Sequence, residues 1–143
     1  MKLPDLNLFL YAFDETSARH AAARKWVEET LSGTETVAFA WAVLLGFVRL
    51  ATNPSLFARP LGGGEAFDAI DGWLEQPCAT VVHPTGRHSA ILRDLLAPLG
   101  TAGNLTGDAH LAALAIEHGA ELCSCDIDFA RFAGLQWSDP LRA

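Results

Sequence analysis

Asp108-Ala109-His110-Leu111-Ala112-Ala113-Leu114-Ala115-Ile116-Glu117-His118-Gly119-Ala120-Glu121-Leu122-Cys123-Ser124-Cys125-Asp126 decides the fold of this chain. The segment from Asp108 to His118 reads as a helix, capped at its end by Gly119. Glu121–Cys125 reads as a short buried strand, closed by Asp126 and Asp128. A helix feeding directly into a short strand that ends on acids is the repeating unit of a parallel α/β sheet.

The rest of the chain repeats that alternation. Leu3 to Leu10 reads as a buried strand running into a helix. Ser17 is positioned to cap a helix over Ala18–Leu31, whose Ala21, Ala22, Trp26, Val27 and Leu31 form an apolar stripe and which Ser32-Gly33 stops. Thr36–Phe39 is β-rich. Trp41–Ala51 is nearly all apolar and reads as a helix buried on most sides, broken by Asn53-Pro54. Leu61–Gly64 reads as a loop. Helices are expected over Gly64–Gln76 and Gly86–Leu99, with a strand at Ala79–Val82 between them. A glycine-containing loop, Gly100–Gly107, precedes the Asp108 helix, a turn follows at Asp128–Phe132, and Leu135–Trp137 is a short fifth strand. Strands alternating with helices imply a parallel sheet covered on both faces. With 143 residues and no linker or repeat, residues 1–143 are expected to form a single domain.

Composition narrows the function. Half the residues are apolar, which supplies a full core. No run is long and apolar enough to span a membrane and no signal-peptide pattern is present, so a cytoplasmic protein is expected. The three cysteines, Cys78, Cys123 and Cys125, have no zinc spacing and are expected as buried thiols. A formal charge of −7 argues against capture of nucleic acid by bulk charge alone. It leaves room for a nuclease whose negatives are gathered in a metal pocket.

The acids are placed for such a pocket. Ligands of open α/β sheets bind beyond the carboxyl ends of the strands. Asp5 follows the first strand, Asp126 and Asp128 follow the fourth, and Asp108 opens a helix facing the same edge. Gathered carboxylates resist ionising together, and a cation relieves the repulsion. Oxygen-only ligands suit Mg²⁺ or Mn²⁺. The competing reading is structural, because aspartates at helix starts and turns are common caps. Asp108 is open to both readings, and Asp128 is the acid best placed to cap the turn that follows it. Gly62-Gly63-Gly64 lacks the strand and the Lys-Ser/Thr of a phosphate loop. A phosphatase or receiver domain would usually set a lysine near its aspartyl nucleophile, and neither Lys2 nor Lys25 is well placed. The four tryptophans read as core or dimer-interface residues.

Four segments carry a family resemblance. They are Leu3-Pro4-Asp5-Leu6-Asn7, Leu44-Leu45-Gly46-Phe47-Val48-Arg49, Gly103-Asn104-Leu105-Thr106-Gly107-Asp108-Ala109-His110-Leu111-Ala112-Ala113, and Cys123-Ser124-Cys125-Asp126-Ile127-Asp128-Phe129. In that order and spacing the chain resembles PIN-domain ribonucleases of the VapC type, the toxin half of bacterial toxin–antitoxin pairs. The tail Phe129–Trp137 is similar to a branch abundant in mycobacteria. The resemblance implies a three-layer α/β sandwich with a central sheet in strand order 3-2-1-4-5. It implies a Mg²⁺- or Mn²⁺-dependent endoribonuclease working by metal-assisted hydrolysis, an RNA substrate, a VapB-like antitoxin as partner, and a homodimer. Carried over residue by residue, the catalytic acids are Asp5, Asp108 and Asp126, and the metal ligands are these three with Asp128. Asn7, Ser124, Asn104 and Arg49 are supporting residues, Arg49 as a contact to substrate phosphate or a pocket carboxylate, and Arg87 and Arg93 are further candidates for RNA contact. The family's second acid, usually Glu, falls on Gly46. That departure supports an alternative expectation, a catalytically weak RNA- or protein-binding module.

Overall fold

The computed structural model describes residues 1–100 and 102–142. Five strands, β1 (Lys2–Pro4), β2 (Val37–Ala40), β3 (Ala79–Val82), β4 (Glu121–Cys123) and β5 (Trp137–Ser138), form one parallel sheet in the order β3-β2-β1-β4-β5. Six helices cover it: α1 (Leu6–Phe13), α2 (His20–Leu31), α3 (Trp41–Ala51), α4 (Gly63–Leu74), α5 (His88–Leu96) and α6 (Thr106–His118). The expected sheet and strand order are both present. Short 3₁₀ turns at Ala97–Leu99, Gly103–Leu105 and Ile127–Arg131 complete the chain.

Burial explains why these residues take these elements. All four residues of β2 are buried, as a strand covered on both faces requires. Below α3 and α4, Phe9, Phe39, Phe47 and Trp73 interlock, with Phe9 and Trp73 ring centroids 4.4 Å apart and Phe47 edge-on to Trp73 at 4.9 Å. Trp73 anchors α4 against this cluster, and Ala66 and Ile70 are buried beside it, so α4 is part of the body of the domain. In α6, six residues from Ala109 to Ala115 are buried; alanines at 109, 112, 113 and 115 bring the helix backbone close to the sheet. Gly119 ends α6 with φ +64°, a left-handed conformation that suits a residue without Cβ.

Several boundaries differ from the sequence reading. The α2 helix starts at His20, not Ala18. Ser17 does not cap it; its hydroxyl accepts from Arg19 N at 3.1 Å and shapes the turn before the helix. The α6 helix starts at Thr106, two residues before Asp108. The expected strand Glu121–Cys125 stops at Cys123: Ser124 N still donates to Ser138 O of β5, but Cys125 N turns away to the side chain of Asn7. The three cysteines are free, Cys123 buried and Cys78 and Cys125 half-buried.

The sheet order fixes where a site forms. The chain runs from β1 outward through β2 to β3, then returns to place β4 on the other side of β1. Connections diverge between β1 and β4, leaving a crevice at their carboxyl ends. Pro4 pairs with Cys123 there, and Asp5 N donates to Cys123 O at 2.8 Å.

Candidate functional site: an acidic crevice at the β1–β4 edge

Asp5 leaves β1 directly into α1 and acts as its N-cap, its Oδ1 accepting from Leu6 N at 2.7 Å. Its Oδ2 accepts from the Ser124 hydroxyl at 2.7 Å. Burial pushes the Asp5 carboxyl above its usual range, and the nearby Asp126 adds to this; the hydrogen bonds from Ser124 and Leu6 act in the opposite direction.

Ser124 is wholly buried and joins the two strands' acids. While donating to Asp5, its hydroxyl accepts from Asn7 Nδ2 at 3.1 Å and from Asp126 N at 3.0 Å. One donor and two acceptor positions are all a hydroxyl has, so the network is complete. Asn7 Oδ1 in turn accepts from Cys125 N at 3.5 Å. Asp126 caps the 3₁₀ turn Ile127–Arg131, its Oδ1 accepting from Asp128 N at 2.9 Å. The capping role read onto Asp128 therefore belongs to Asp126, and the Asp128 carboxylate is left for the crevice.

Asp108 enters from α6. Because the helix begins at Thr106, Asp108 lies in the first turn rather than at the cap, and its side chain makes no hydrogen bond among the described residues. Carboxylate oxygens of Asp108, Asp126 and Asp128 lie within 4.8 Å of one another. Burial, then the charges of Asp126, Asp5 and Asp128, raise the Asp108 carboxyl from 3.8 to about 6. The structure thus gathers Asp108, Asp126 and Asp128, with Asp5 behind them, tied through Ser124. The donors are oxygens only, and the crevice relieves its charge by taking a proton or a hard cation; the donor set fits Mg²⁺ or Mn²⁺.

The other expected residues fall differently. Asn104 is exposed in the 3₁₀ turn Gly103–Leu105 and makes no side-chain hydrogen bond among the described residues. Arg49 is exposed in the last turn of α3 with no ion pair among the described residues. Arg87 donates to Glu117 O, nine residues further along α6 than Asp108 and so about 13 Å from it. Gly46 is buried against Leu6: a Cβ there would meet Leu6 Cδ2 at 2.8 Å. The space next to the helix backbone at this position is filled by an apolar side chain.

Sequence reasoning missed two cations that touch the Ser124–Asp128 segment. The Arg19 guanidinium lies over the Tyr11 ring, 5.6 Å from its centroid, and beside the Cys125 thiol. Arg131 Nη2 is 3.6 Å from Asp128 Oδ1. The i,i+3 spacing of Asp128 and Arg131 was a usable signal; nothing in the sequence ties Arg19 to Cys125.

A family model described as PIN domain matches residues 2–135. The chain belongs to the PIN-domain family. This PIN domain is similar to Ribonuclease VapC37 of Mycobacterium tuberculosis (strain ATCC 25618 / H37Rv), 49% identical over 140 residues that cover 98% of this chain and 97% of that one. Ribonuclease VapC33 of the same organism is 42% identical over 142 residues, 99% of each chain. These relatives place it in the VapC branch of PIN domains. Among solved structures, VapBC2 from Rickettsia felis superimposes with a TM-score of 0.69 at 18% identity over 96% of each chain. Mycobacterium tuberculosis VapC20, described as a sarcin–ricin loop cleaving toxin, does so with a TM-score of 0.64 at 17% identity, over 95% of this PIN domain and 99% of that chain. At those identities the likeness is one of fold.

Proposed function

We propose that this PIN domain is a Mg²⁺- or Mn²⁺-dependent endoribonuclease, the toxin of a toxin–antitoxin pair, that hydrolyses RNA at the β1–β4 crevice. The observation that carries the reading is the convergence of Asp108, Asp126 and Asp128 within 4.8 Å, with Asp108 raised to about 6 by burial and then by the neighbouring carboxylates. Supporting it, the full-length relatives are named ribonucleases.

Asp108, Asp126 and Asp128 would hold the cation, and Asp5 would complete the set with the lone pairs not used by Leu6 and Ser124. Bound there, Mg²⁺ or Mn²⁺ supplies Lewis acidity and charge neutralisation for attack of water on a phosphodiester. The residues of the chain prepare that chemistry. Ser124 and Asn7 fix Asp5 and the backbone at Asp126, so the carboxylates need little rearrangement when substrate arrives. The Asp108 carboxyl, raised in the absence of a cation, would give up its proton as the cation binds. No covalent nucleophile is required.

The partner reading rests on the surface. A cavity of about 550 Å³ between α1, α2, α3 and α4 is lined by Phe9, Phe13, Phe47 and Trp73; its rim carries Glu65 and Asp68 beside the paired Arg24 and Glu28. It suits an apolar segment with basic flanks from a VapB-like antitoxin. Trp41 and Leu45, one turn apart on α3, are 42% and 54% exposed and support a homodimer through that face. Among the described residues no helix is long and apolar enough to cross a membrane, and we infer a cytoplasmic location.

Gly46 favours the second reading, a weakly catalytic binding module, because Leu6 occupies the space beside the position where the family carries a carboxylate. One experiment separates the two. Purified, antitoxin-free protein is incubated with total bacterial RNA in Mg²⁺, in Mn²⁺ and in EDTA, beside Asp108→Asn. Metal-dependent cleavage that disappears in the variant is expected; absence of cleavage by folded wild-type protein would transfer the conclusion to the binding module.

A further inference from the structure

An RNA-cleaving crevice walled by four aspartates repels its own substrate, and the chain carries a net charge of −7. Cations that touch the residues of the crevice are therefore functionally significant, and several of the chain's cations are engaged elsewhere. Lys2 is held by Glu35 and Glu121 at the opposite end of β1. Arg24 and Lys25 pair with Glu28 and Glu29 along α2. Arg87 is bound to the far end of α6. Arg49 also forms no ion pair among the described residues, but Arg19 and Arg131 lie against the Ser124–Asp128 segment itself, Arg19 beside Cys125 and Arg131 beside Asp128.

We propose that Arg19 and Arg131 form a two-armed clamp for the RNA backbone, gripping phosphates on either side of the one placed over Asp108 and Asp126. The proposal rests on the ribonuclease reading and names the residues that bind its substrate. Arg19 is prearranged. Its backbone N–H is tied to the Ser17 hydroxyl, and its guanidinium lies over Tyr11, which restricts the side chain without using its donors on a carboxylate. It forms no ion pair among the described residues, and Asp139 also neighbours the Cys125 thiol. Cys125, which Arg19 neighbours, lies in the chain between Ser124 and Asp126. Arg131 lies beside Asp128. It is 57% exposed and its contact with Asp128, 42% exposed, is a long one at 3.6 Å. An exposed pair of that length yields readily to a phosphate, which offers the guanidinium fork two oxygens. A strand entering over Arg19 crosses the carboxylates and leaves over Arg131.

The test uses full-length protein carrying Asp108→Asn, which the proposed function makes inactive, with Arg19→Gln, Arg131→Gln, both together, and Lys25→Gln as a control charge. Binding of a fluorescein-labelled 20-nucleotide mixed-sequence RNA is followed by anisotropy across a salt series. Each arginine variant is expected to weaken binding about tenfold, the loss of one charge-assisted contact. Each should also flatten the log K against log salt slope by about 0.7, the value for one phosphate contact to a single strand. Arg19→Lys should recover the slope but only part of the affinity. In the otherwise wild-type protein, KM for RNA cleavage should rise with kcat little changed. Unchanged affinity and slope in Arg19→Gln and Arg131→Gln, or an equal effect from Lys25→Gln, overturns the clamp while metal-dependent cleavage by the wild type keeps the ribonuclease reading. Wild-type protein that neither binds nor cuts RNA removes both. Lost antitoxin binding with intact RNA binding would assign the two arginines to the protein partner instead.

Discussion

Replacing Asp108 by Asn measures the strain of the acidic crevice without any need for catalysis. Burial and the charges of Asp126, Asp5 and Asp128 raise the Asp108 carboxyl from 3.8 to about 6. A rise of that size corresponds to about 3 kcal/mol of preference for the neutral form. The group is only half-buried, and solvent screening leaves about 1.5 kcal/mol. The folded pKa lies above the unfolded one, so the folded chain holds the extra proton between about pH 4 and pH 6. Stability therefore falls as pH rises through that window and stays reduced above it. Asn carries no charge and escapes the penalty. Urea or thermal melts in EDTA at about pH 7.5 should show Asp108→Asn more stable than wild type by about 1.5 kcal/mol, or about 5 °C in Tm. The two proteins should converge near pH 4. Millimolar Mn²⁺ should raise the Tm of the wild type and narrow the gap, because a ligand that binds only the folded state stabilises it by mass action, and should leave the variant nearly unmoved. Superimposable melts in EDTA at neutral pH, or an undiminished Mn²⁺ response in the variant, would refute the electrostatic account.

Other perturbations test other links. Ser124→Ala strands Asn7, Asp126 N and the Asp5 carboxylate around a buried site, and should lower unfolding free energy by about 2 kcal/mol in urea. Trp73→Ala removes the ring that Phe9, Phe39 and Phe47 share and should cost about 4 kcal/mol, with α4 losing hydrogen-exchange protection first. Gly46→Glu brings its Cβ to 2.8 Å from Leu6 Cδ2, the end of a flexible half-buried side chain that can swing aside, so it should cost no more than about 1 kcal/mol and strengthen the Mn²⁺ response; a melt lowered by several kcal/mol that Leu6→Ala fails to restore, or an unchanged Mn²⁺ response, would refute this. Glu117 works in the opposite sense to Asp108. Burial pushes its carboxyl up, but the hydrogen bonds from Thr85 and His88 outweigh this and hold it below 4.5. Its stabilisation is complete above that value and is lost as pH falls through the lowered pKa, so Glu117→Gln should flatten the acid limb of a stability–pH curve.

The alternation of elements was legible because it depends on local chemistry. Trp41–Ala51 reads as a buried helix from its apolar run, and α3 has those bounds. Ends were less legible where a side chain had two competing partners. Ser17 resembles a helix cap, yet its hydroxyl is taken by Arg19 N; Asp108 resembles a helix start, yet α6 opens at Thr106. The acids could be named from their places at strand ends and helix starts. Their division of labour could not: Asp126 rather than Asp128 caps the following turn, and Asp5 sits outside the group of three carboxylates that share one volume.

By itself the sequence determined the class of fold, the sheet edge that carries the chemistry, and the oxygen-only character of the donors, since hydrophobic period and the residue type at each strand end are properties of the chain read locally. Only the tertiary structure decided which carboxylates share one volume, that the Ser124 hydroxyl joins residues 117 and 119 positions away, that Leu6 fills the space beside Gly46, and that Arg19 stands next to Cys125. These are distances between residues remote in sequence. They are set by the return of the chain that places β4 beside β1, and no local pattern encodes them.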